Sequence, residues 1–108
     1  MKPIVWLGDS LARVREFPAE ARRAAGYQLQ RVQDEREPVD CKAMPSVGTG
    51  VSEMRIRVGG AFRVMYLAKY AEVVYVLHAF QKKSRKTSRL DIELARQRFK
   101  ILIRERVR

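Results

Sequence analysis

Residues 73–87 read VVYVLHAFQKKSRKT, and the rest of the sequence is interpreted as a scaffold and further cations around this stretch. It opens as an apolar run of β-branched and aromatic residues, which is typical of a buried strand. His78 interrupts the run, and from Lys82 to Lys86 the chain carries four cations with no carboxylate between them. We therefore expect a core strand that brings a histidine and a cluster of lysines to one edge of a sheet, where an anionic polymer can bind.

The chain before this strand predicts two further antiparallel strands. Val51–Val58 alternates apolar and charged side chains, which is the period of a half-buried strand. Gly59-Gly60 is typical of a hairpin turn, and Ala61–Leu67 is the return strand. A second turn at Lys69–Glu72 leads into the strand Val73–Phe80, so the three strands form a meander.

The N-terminal third predicts one short strand and two helices. Pro3–Leu7 is apolar and ends at a glycine, which favours a short strand that is free to join the sheet. Asp9 or Ser10 is suited to cap a brief helix. A proline at residue 18 suits the first turn of a second helix, which ends between residues 34 and 38. The segment from there to residue 50 contains two prolines and two glycines and predicts a loop.

The last predicted helix begins at Ser88, because Asp91 three residues later resembles a capping box. Its apolar residues from Ile92 to Leu102 fall on one side at helical spacing, and its arginines and lysines fall on the others. The sequence therefore predicts one α+β domain over residues 1–108. Its core is a small twisted antiparallel sheet with two N-terminal helices on one face and a C-terminal helix.

The charge of the chain indicates an anionic partner. Lys and Arg number 23 against 12 Asp and Glu, which gives a net charge of +11 on 108 residues. Residues 81–108 carry a net +8 of that charge. Nucleic acid is the first candidate partner, and an anionic membrane surface is the second.

The sequence indicates a soluble cytoplasmic protein that needs no cofactor. Cys41 is the only cysteine, so neither an intrachain disulfide nor a cysteine-based metal site can form. The apolar stretch near the N-terminus is too short for a signal peptide, and no run approaches the roughly 20 apolar residues of a membrane span. No phosphate loop, Ser/His/Asp set or metal-ligand cluster is apparent.

Three segments resemble a known family: AAGYQLQRVQ (24–33), GVSEMRIRVGGAFRVMYLAK (50–69) and VVYVLHAFQKKSRKT (73–87). With the terminal helix, they make the sequence similar to the RelE/HigB superfamily of bacterial toxins, most closely its phage-related HigB-like branch. The resemblance implies a RelE-like fold and a ribosome-dependent endoribonuclease (an mRNA interferase) that inhibits translation. It also implies metal-independent attack by the 2′-hydroxyl, and neutralisation by a cognate antitoxin of the helix-turn-helix type.

Arg63 is the first candidate catalytic residue, because the matching arginine of related toxins lies in the active site. RNA cleavage needs charge stabilisation at the phosphorane, and an arginine fork can hold two phosphate oxygens. A strict two-residue turn would place Arg63 opposite Ile56, on the face away from Arg55 and Arg57. A three-residue or bulged turn would bring the three arginines together, and the double glycine permits either.

His78 and Glu53 each have two interpretations. His78, the only histidine, is either a functional residue, as a proton donor or acceptor in catalysis or as a phosphate contact, or a core residue hydrogen-bonded to a neighbour, with Val76 and Phe80 on its face. Glu53 either acts as a base or pairs with Arg55, and we expect the pair.

Five further cations are candidate RNA contacts. Lys82 lies where the strand leaves the sheet and is placed with the catalytic residues. We expect the RNA backbone or ribosomal RNA to be contacted by Arg55, Arg57, Lys83, Arg85 and Lys86. A function of another class remains open, that of a non-catalytic RNA- or DNA-binding module of phage origin on the same fold.

Overall fold

The structure is a computed structural model, and it describes residues 1–107. It confirms the α+β fold predicted from the sequence. In chain order the elements are β1 (Ile4–Trp6), α1 (Ser10–Arg15), α2 (Ala19–Gln33), β2 (Cys41–Ala43), β3 (Val51–Arg57), β4 (Ala61–Leu67), β5 (Val74–Gln81) and α3 (Arg89–Arg106).

The strands form one sheet in the order β1-β5-β4-β3-β2. Strands β2 to β5 are antiparallel, and β1 lies parallel to β5, so the sheet is mixed rather than wholly antiparallel. The segment predicted as a loop before residue 50 contains β2, in which Cys41 pairs with Met54. Three residues are too few to show an alternating pattern, and β2 exists because the edge of β3 supplies its hydrogen-bond partners.

The sheet separates two hydrophobic cores. On one face, α2 presents Ala21 and Ala25, which are fully buried and small enough for the helix to lie close to the strands. On the opposite face, α3 packs Ala95 and Leu102 against the sheet. The side chain of Ser88 accepts a hydrogen bond from the backbone N–H of Asp91, as the predicted cap requires. Within residues 1–107, no helix is both long and apolar enough to cross a bilayer.

A β-bulge at Leu77 interrupts the pairing of β5 with β4. Met65 pairs with His78 and the next residue, Tyr66, pairs with Val76, so Leu77 is the extra residue. The bulge puts Val76 and His78 on opposite faces, whereas the sequence predicted one shared face. The carbonyl oxygen of Leu77 accepts a hydrogen bond of 2.8 Å from the guanidinium of Arg98.

Arg98 also joins α3 to the start of α1. Its guanidinium donates to the carboxylate of Asp9 at 2.7 Å, and this bond, with a second from Arg13, lowers the pKa of Asp9 to about 2. The close approach requires Gly8, since a Cβ there would lie 2.4 Å from the guanidinium carbon of Arg98. The contact fixes the start of α1 beside the middle of α3, which matters for the clefts described below.

Candidate nucleic-acid interface

The connection between β3 and β4 decides where Arg63 lies. Arg57 pairs with Ala61, so Val58–Gly60 forms a three-residue loop. Both glycines in it have positive φ, 66° and 145°, values that favour glycine. Arg63 therefore pairs directly with Arg55, and the three arginines share one face of the sheet. The structure has the arrangement that the three-residue alternative required. We call Arg55, Arg57 and Arg63 the arginine face.

Two members of the arginine face pair with Asp40. Its carboxylate lies 3.5 Å from Arg55 and 3.9 Å from Arg57, and the Arg57 side chain remains two-thirds exposed. Surface ion pairs of this kind contribute at most about 1 kcal/mol, so a phosphate can replace Asp40 at little cost. Nothing in the sequence singled out Asp40, because it lies in the segment predicted as a loop.

Arg63 is buried, with 4% of its surface exposed, and it pairs with the equally buried Glu53. Nε of Arg63 lies 3.4 Å from a carboxylate oxygen of Glu53, and one Nη donates to the carbonyl of Phe62. The predicted pair of Glu53 with Arg55 is therefore wrong. Burial lowers the pKa of Arg63, and the Glu53 carboxylate opposes that shift. Among residues 1–107, Nε makes no hydrogen bond of good geometry and keeps donor capacity.

The segment after β5 lies beside Arg63 and forms a cleft with it. Thr87 donates a hydrogen bond of 3.3 Å to the Glu53 carboxylate, which holds the end of the segment over the arginine face. The cleft has a volume of about 470 Å³ and is called the basic cleft here; it is lined by Ala61, Arg63, Lys82, Lys83, Ser84 and Arg85. Lys86 is exposed and lies outside it. The structure thus brings Lys82, Lys83 and Arg85 together with Arg63.

His78 does not reach the basic cleft. Its side chain is 1% exposed, stacks on Phe80 at 5.3 Å between ring centroids, and makes a 2.7 Å hydrogen bond from Nε2 to the carboxylate of Asp91. Among residues 1–107 its Nδ1 has no hydrogen-bond partner. This is the geometry of a core histidine bonded to a neighbour. Asp91, which the sequence suggested only as part of a helix cap, is therefore also the partner of His78.

The burial of His78 predicts a pH-dependent stability. Burial lowers the pKa of His78, and the hydrogen bond to Asp91 opposes the shift. Below the unfolded pKa of about 6.5 the unfolded chain binds a proton that the folded chain does not. The free energy of unfolding therefore decreases as the pH is lowered, by up to about 1.4 kcal/mol per pH unit. Urea denaturation between about pH 5 and pH 7.5 measures this, and we expect His78→Gln to flatten the curve. Parallel curves for the two proteins would contradict it.

Three arginines of α3 are engaged within the chain. Arg98 bonds to β5 and Asp9, and Arg96 bonds to the carbonyl of Ser46 and to Glu93. Arg106 lies 3.5 Å above the Tyr70 ring and donates to the hydroxyl of Tyr75 and to Glu72. The helix nevertheless presents exposed cations to solvent: Arg89, Lys100 and Arg104.

Comparison with known proteins gives a family for the chain. The family model described as "Phage derived protein Gp49-like (DUF891)" matches residues 12–100. This range begins in α1 and contains all three arginines of the arginine face, the basic cleft and His78. No curated protein matches the chain.

Proposed function

The chain belongs to the Gp49-like family of phage-derived proteins, and from this premise we propose that it is the toxin of a type II toxin–antitoxin pair, an endoribonuclease that cleaves mRNA on the ribosome. The family is toxin-like and related to toxins of the RelE/HigB type. Residues 12–100, which the family model matches, include the segments whose resemblance to those toxins was noted in the sequence. The membership supports a toxin; the nuclease activity is inferred from the site.

The observation that carries the proposal is the register of the β3–β4 hairpin. It places Arg63 opposite Arg55 and beside Lys82 and Lys83 at the end of β5. A phosphate in the basic cleft meets several cations at once, and backbone contacts of this kind position RNA without reading its sequence. Arg63, held in a low-dielectric site, supplies charge stabilisation where the phosphorane forms.

In this proposal the remaining cations hold the RNA backbone. Lys83 lines the basic cleft, and Arg55 and Arg57 lie beside it, paired with Arg63 and Ala61. Arg85, which also lines the cleft, and the exposed Lys86 extend the cationic surface toward ribosomal RNA. Lys82 is half-buried and its backbone N–H is fixed by the carbonyl of Ala61 at 2.7 Å, so it is placed to contact the reacting phosphate. We give His78 a positioning role, because its bonded ring nitrogen is committed to Asp91.

The surface charge is compatible with the partners that the family resemblance implies. The exposed cations of α3 lie outside the basic cleft and suit an acidic segment of a cognate antitoxin of the helix-turn-helix type, or ribosomal RNA. We propose that mRNA in the ribosome occupies the arginine face.

One observation favours a second candidate function, a non-catalytic module that binds RNA or DNA. Arg63 is almost completely buried and its charge is already balanced by Glu53. A residue in that state can hold the sheet together without contacting a ligand. A binding module would then use the exposed cations around the basic cleft, and its affinity would fall steeply with salt.

Induced expression in a bacterial host tests the proposal directly. We expect growth arrest, accompanied by new mRNA 5′ ends within translated reading frames and by co-sedimentation of the protein with ribosomes. Co-expression of the small helix-turn-helix protein encoded beside it, where one is present, should restore growth. Normal growth and unchanged mRNA ends, with the protein soluble and abundant, would favour the binding module.

A further inference from the structure

A second cleft lies next to the basic cleft, on the other side of Lys83. It has a volume of about 400 Å³ and is called the edge cleft here. It lies between the end of α1, the last residues of β5 and the start of α3. Its polar lining is Arg13, Glu16, Gln81, Lys83 and Asp91, and its apolar lining is Phe17, Pro18, Phe62, Ala79 and Phe80. Because Lys83 lines both clefts, a ligand held by its phosphate in one can extend into the other.

The edge cleft exposes backbone hydrogen-bonding groups of β5. Strand β1 ends at Trp6, opposite Val76, so within residues 1–107 no strand covers the outer edge of β5 beyond that point. The N–H of Lys82 bonds to Ala61 of β4. Since alternate residues of a strand turn their N–H and C=O groups to opposite sides, Ala79 and Gln81 turn theirs away from β4. Ala79 is fully buried, whereas Gln81 is exposed and can offer its backbone groups to the cleft.

A fixed carboxylate stands at the α3 side of the same cleft. The Asp91 side chain accepts from His78 Nε2 at 2.7 Å and from Ser88 Oγ at 2.6 Å, and its backbone N–H is bonded to Ser88. About a quarter of the side chain remains exposed. Two oxygens offer more acceptor positions than these two donors use, so Asp91 can accept from a ligand. Its orientation is held by a buried histidine, which is how binding sites are preorganised.

We propose that the edge cleft is a nucleobase subsite in which Asp91 accepts hydrogen bonds from the base whose phosphate occupies the basic cleft. The proposal rests on the proposed function, since it names the part of the RNA substrate that this site reads. A carboxylate accepts and does not donate, so it favours a base that offers amino groups. Guanine presents two adjacent donors, N1–H and N2–H₂, whereas uracil presents one donor between two carbonyl acceptors.

The position of the edge cleft suits a single flipped or single-stranded nucleotide. Single-stranded RNA exposes the Watson–Crick edges of its bases, and proteins read them with side chains and backbone groups. A cleft of this size accommodates a base with its ribose. In this subsite His78 positions the carboxylate of Asp91, a role that needs no proton transfer.

The test is nucleotide binding by the full chain. Guanosine and uridine 3′-monophosphates are titrated into the protein, and binding is monitored in assigned backbone-amide NMR spectra. We expect the guanosine nucleotide to bind about tenfold more tightly, with shifts at Ala79, Gln81 and Asp91 that uridine does not produce. Asp91→Asn keeps the size of the side chain and an oxygen for His78 but adds a donor, so the two nucleotides should bind about equally. Glu105→Gln, which removes a remote α3 carboxylate, is the matched charge control and should retain the preference.

The outcomes separate this proposal from the proposed function. Equal binding of the two nucleotides to the wild-type chain, with shifts confined to residues 82–85, would overturn the base subsite and leave the phosphate site intact. The absence of any shift at millimolar nucleotide would overturn the subsite as well. Guanosine selectivity in a chain that cleaves no mRNA on expression would support the subsite while the nuclease function fails. Because the wild-type comparison needs no variant, it remains decisive if Asp91→Asn does not fold.

Discussion

Replacing Arg63 with alanine is expected to reduce mRNA cleavage at least about 100-fold, and with it the growth arrest on induction. Removal of one preorganised group that stabilises transition-state charge typically costs a factor of 10² to 10³ in rate. Arg63 has the position for this effect, because it lines the basic cleft from a strand interior and is held by Glu53 and the carbonyl of Phe62. The measurement is the abundance of new mRNA 5′ ends after induction, normalised to the amount of soluble protein.

Two matched variants make the result interpretable. Arg63→Lys keeps the charge but loses the planar fork, so we expect cleavage between that of the wild type and that of alanine. Arg23→Ala removes one exposed cation of α2, away from the proposed interface, and should leave the cut pattern unchanged. Ribosome co-sedimentation of Arg63→Ala should persist, because the exposed cations remain. Wild-type cleavage by a folded Arg63→Ala chain would remove Arg63 from the chemistry, and a graded, salt-dependent loss of binding alone would favour the non-catalytic module.

The arrangement of the arginine face could be predicted only as one of two alternatives. The double glycine after β3 permits a two-residue or a three-residue turn, and these place Arg63 on opposite faces of the sheet. The sequence pattern of Ala61–Leu67 does not choose between them, because this strand is buried on both faces and does not alternate. In the structure Arg57 pairs with Ala61, which leaves three residues in the turn and places Arg63 on the same face as Arg55.

The face on which His78 lies could not be predicted for a similar reason. Strand β5 is apolar along nearly its whole length, so a break in alternation leaves no trace in the sequence. The bulge at Leu77 is stabilised from outside the strand, by the bond from Arg98 to the Leu77 carbonyl. That donor lies 21 residues later in the chain, and helical periodicity predicted the helix that carries it but not its target.

The cap of α3 was predicted because the relevant contacts are local. Ser88 and Asp91 are three residues apart, and their spacing alone predicts a side-chain bond to a backbone N–H. Asp40 and Glu53 are the contrasting cases. Their partners on the arginine face depend on strand pairing and on the position of β2, which three residues of sequence do not reveal.

The second large effect concerns stability and comes from the buried pair of Glu53 and Arg63. Both side chains are about 95% buried, and removing one partner of such a pair leaves an uncompensated charge in a low-dielectric interior. We expect Glu53→Gln and Arg63→Met each to lower the free energy of unfolding by about 3 kcal/mol. The double variant should lose clearly less than the sum, since no charge is left unpaired. Urea denaturation of the four proteins forms a double-mutant cycle, and strict additivity would contradict the pair.

The same cycle shows whether Arg63 can accept a phosphate. In Glu53→Gln the guanidinium lacks its carboxylate, so an anion in the basic cleft should bind more tightly and stabilise this variant more than the wild type. Inorganic phosphate also stabilises proteins in general by exclusion from their surface. The double variant, which has no Arg63, measures that general contribution. We expect phosphate to raise the urea midpoint of Glu53→Gln well beyond that of the double variant at equal ionic strength. Equal shifts in the two would mean that phosphate does not reach Arg63, and the binding-module function would then account better for the arginine face.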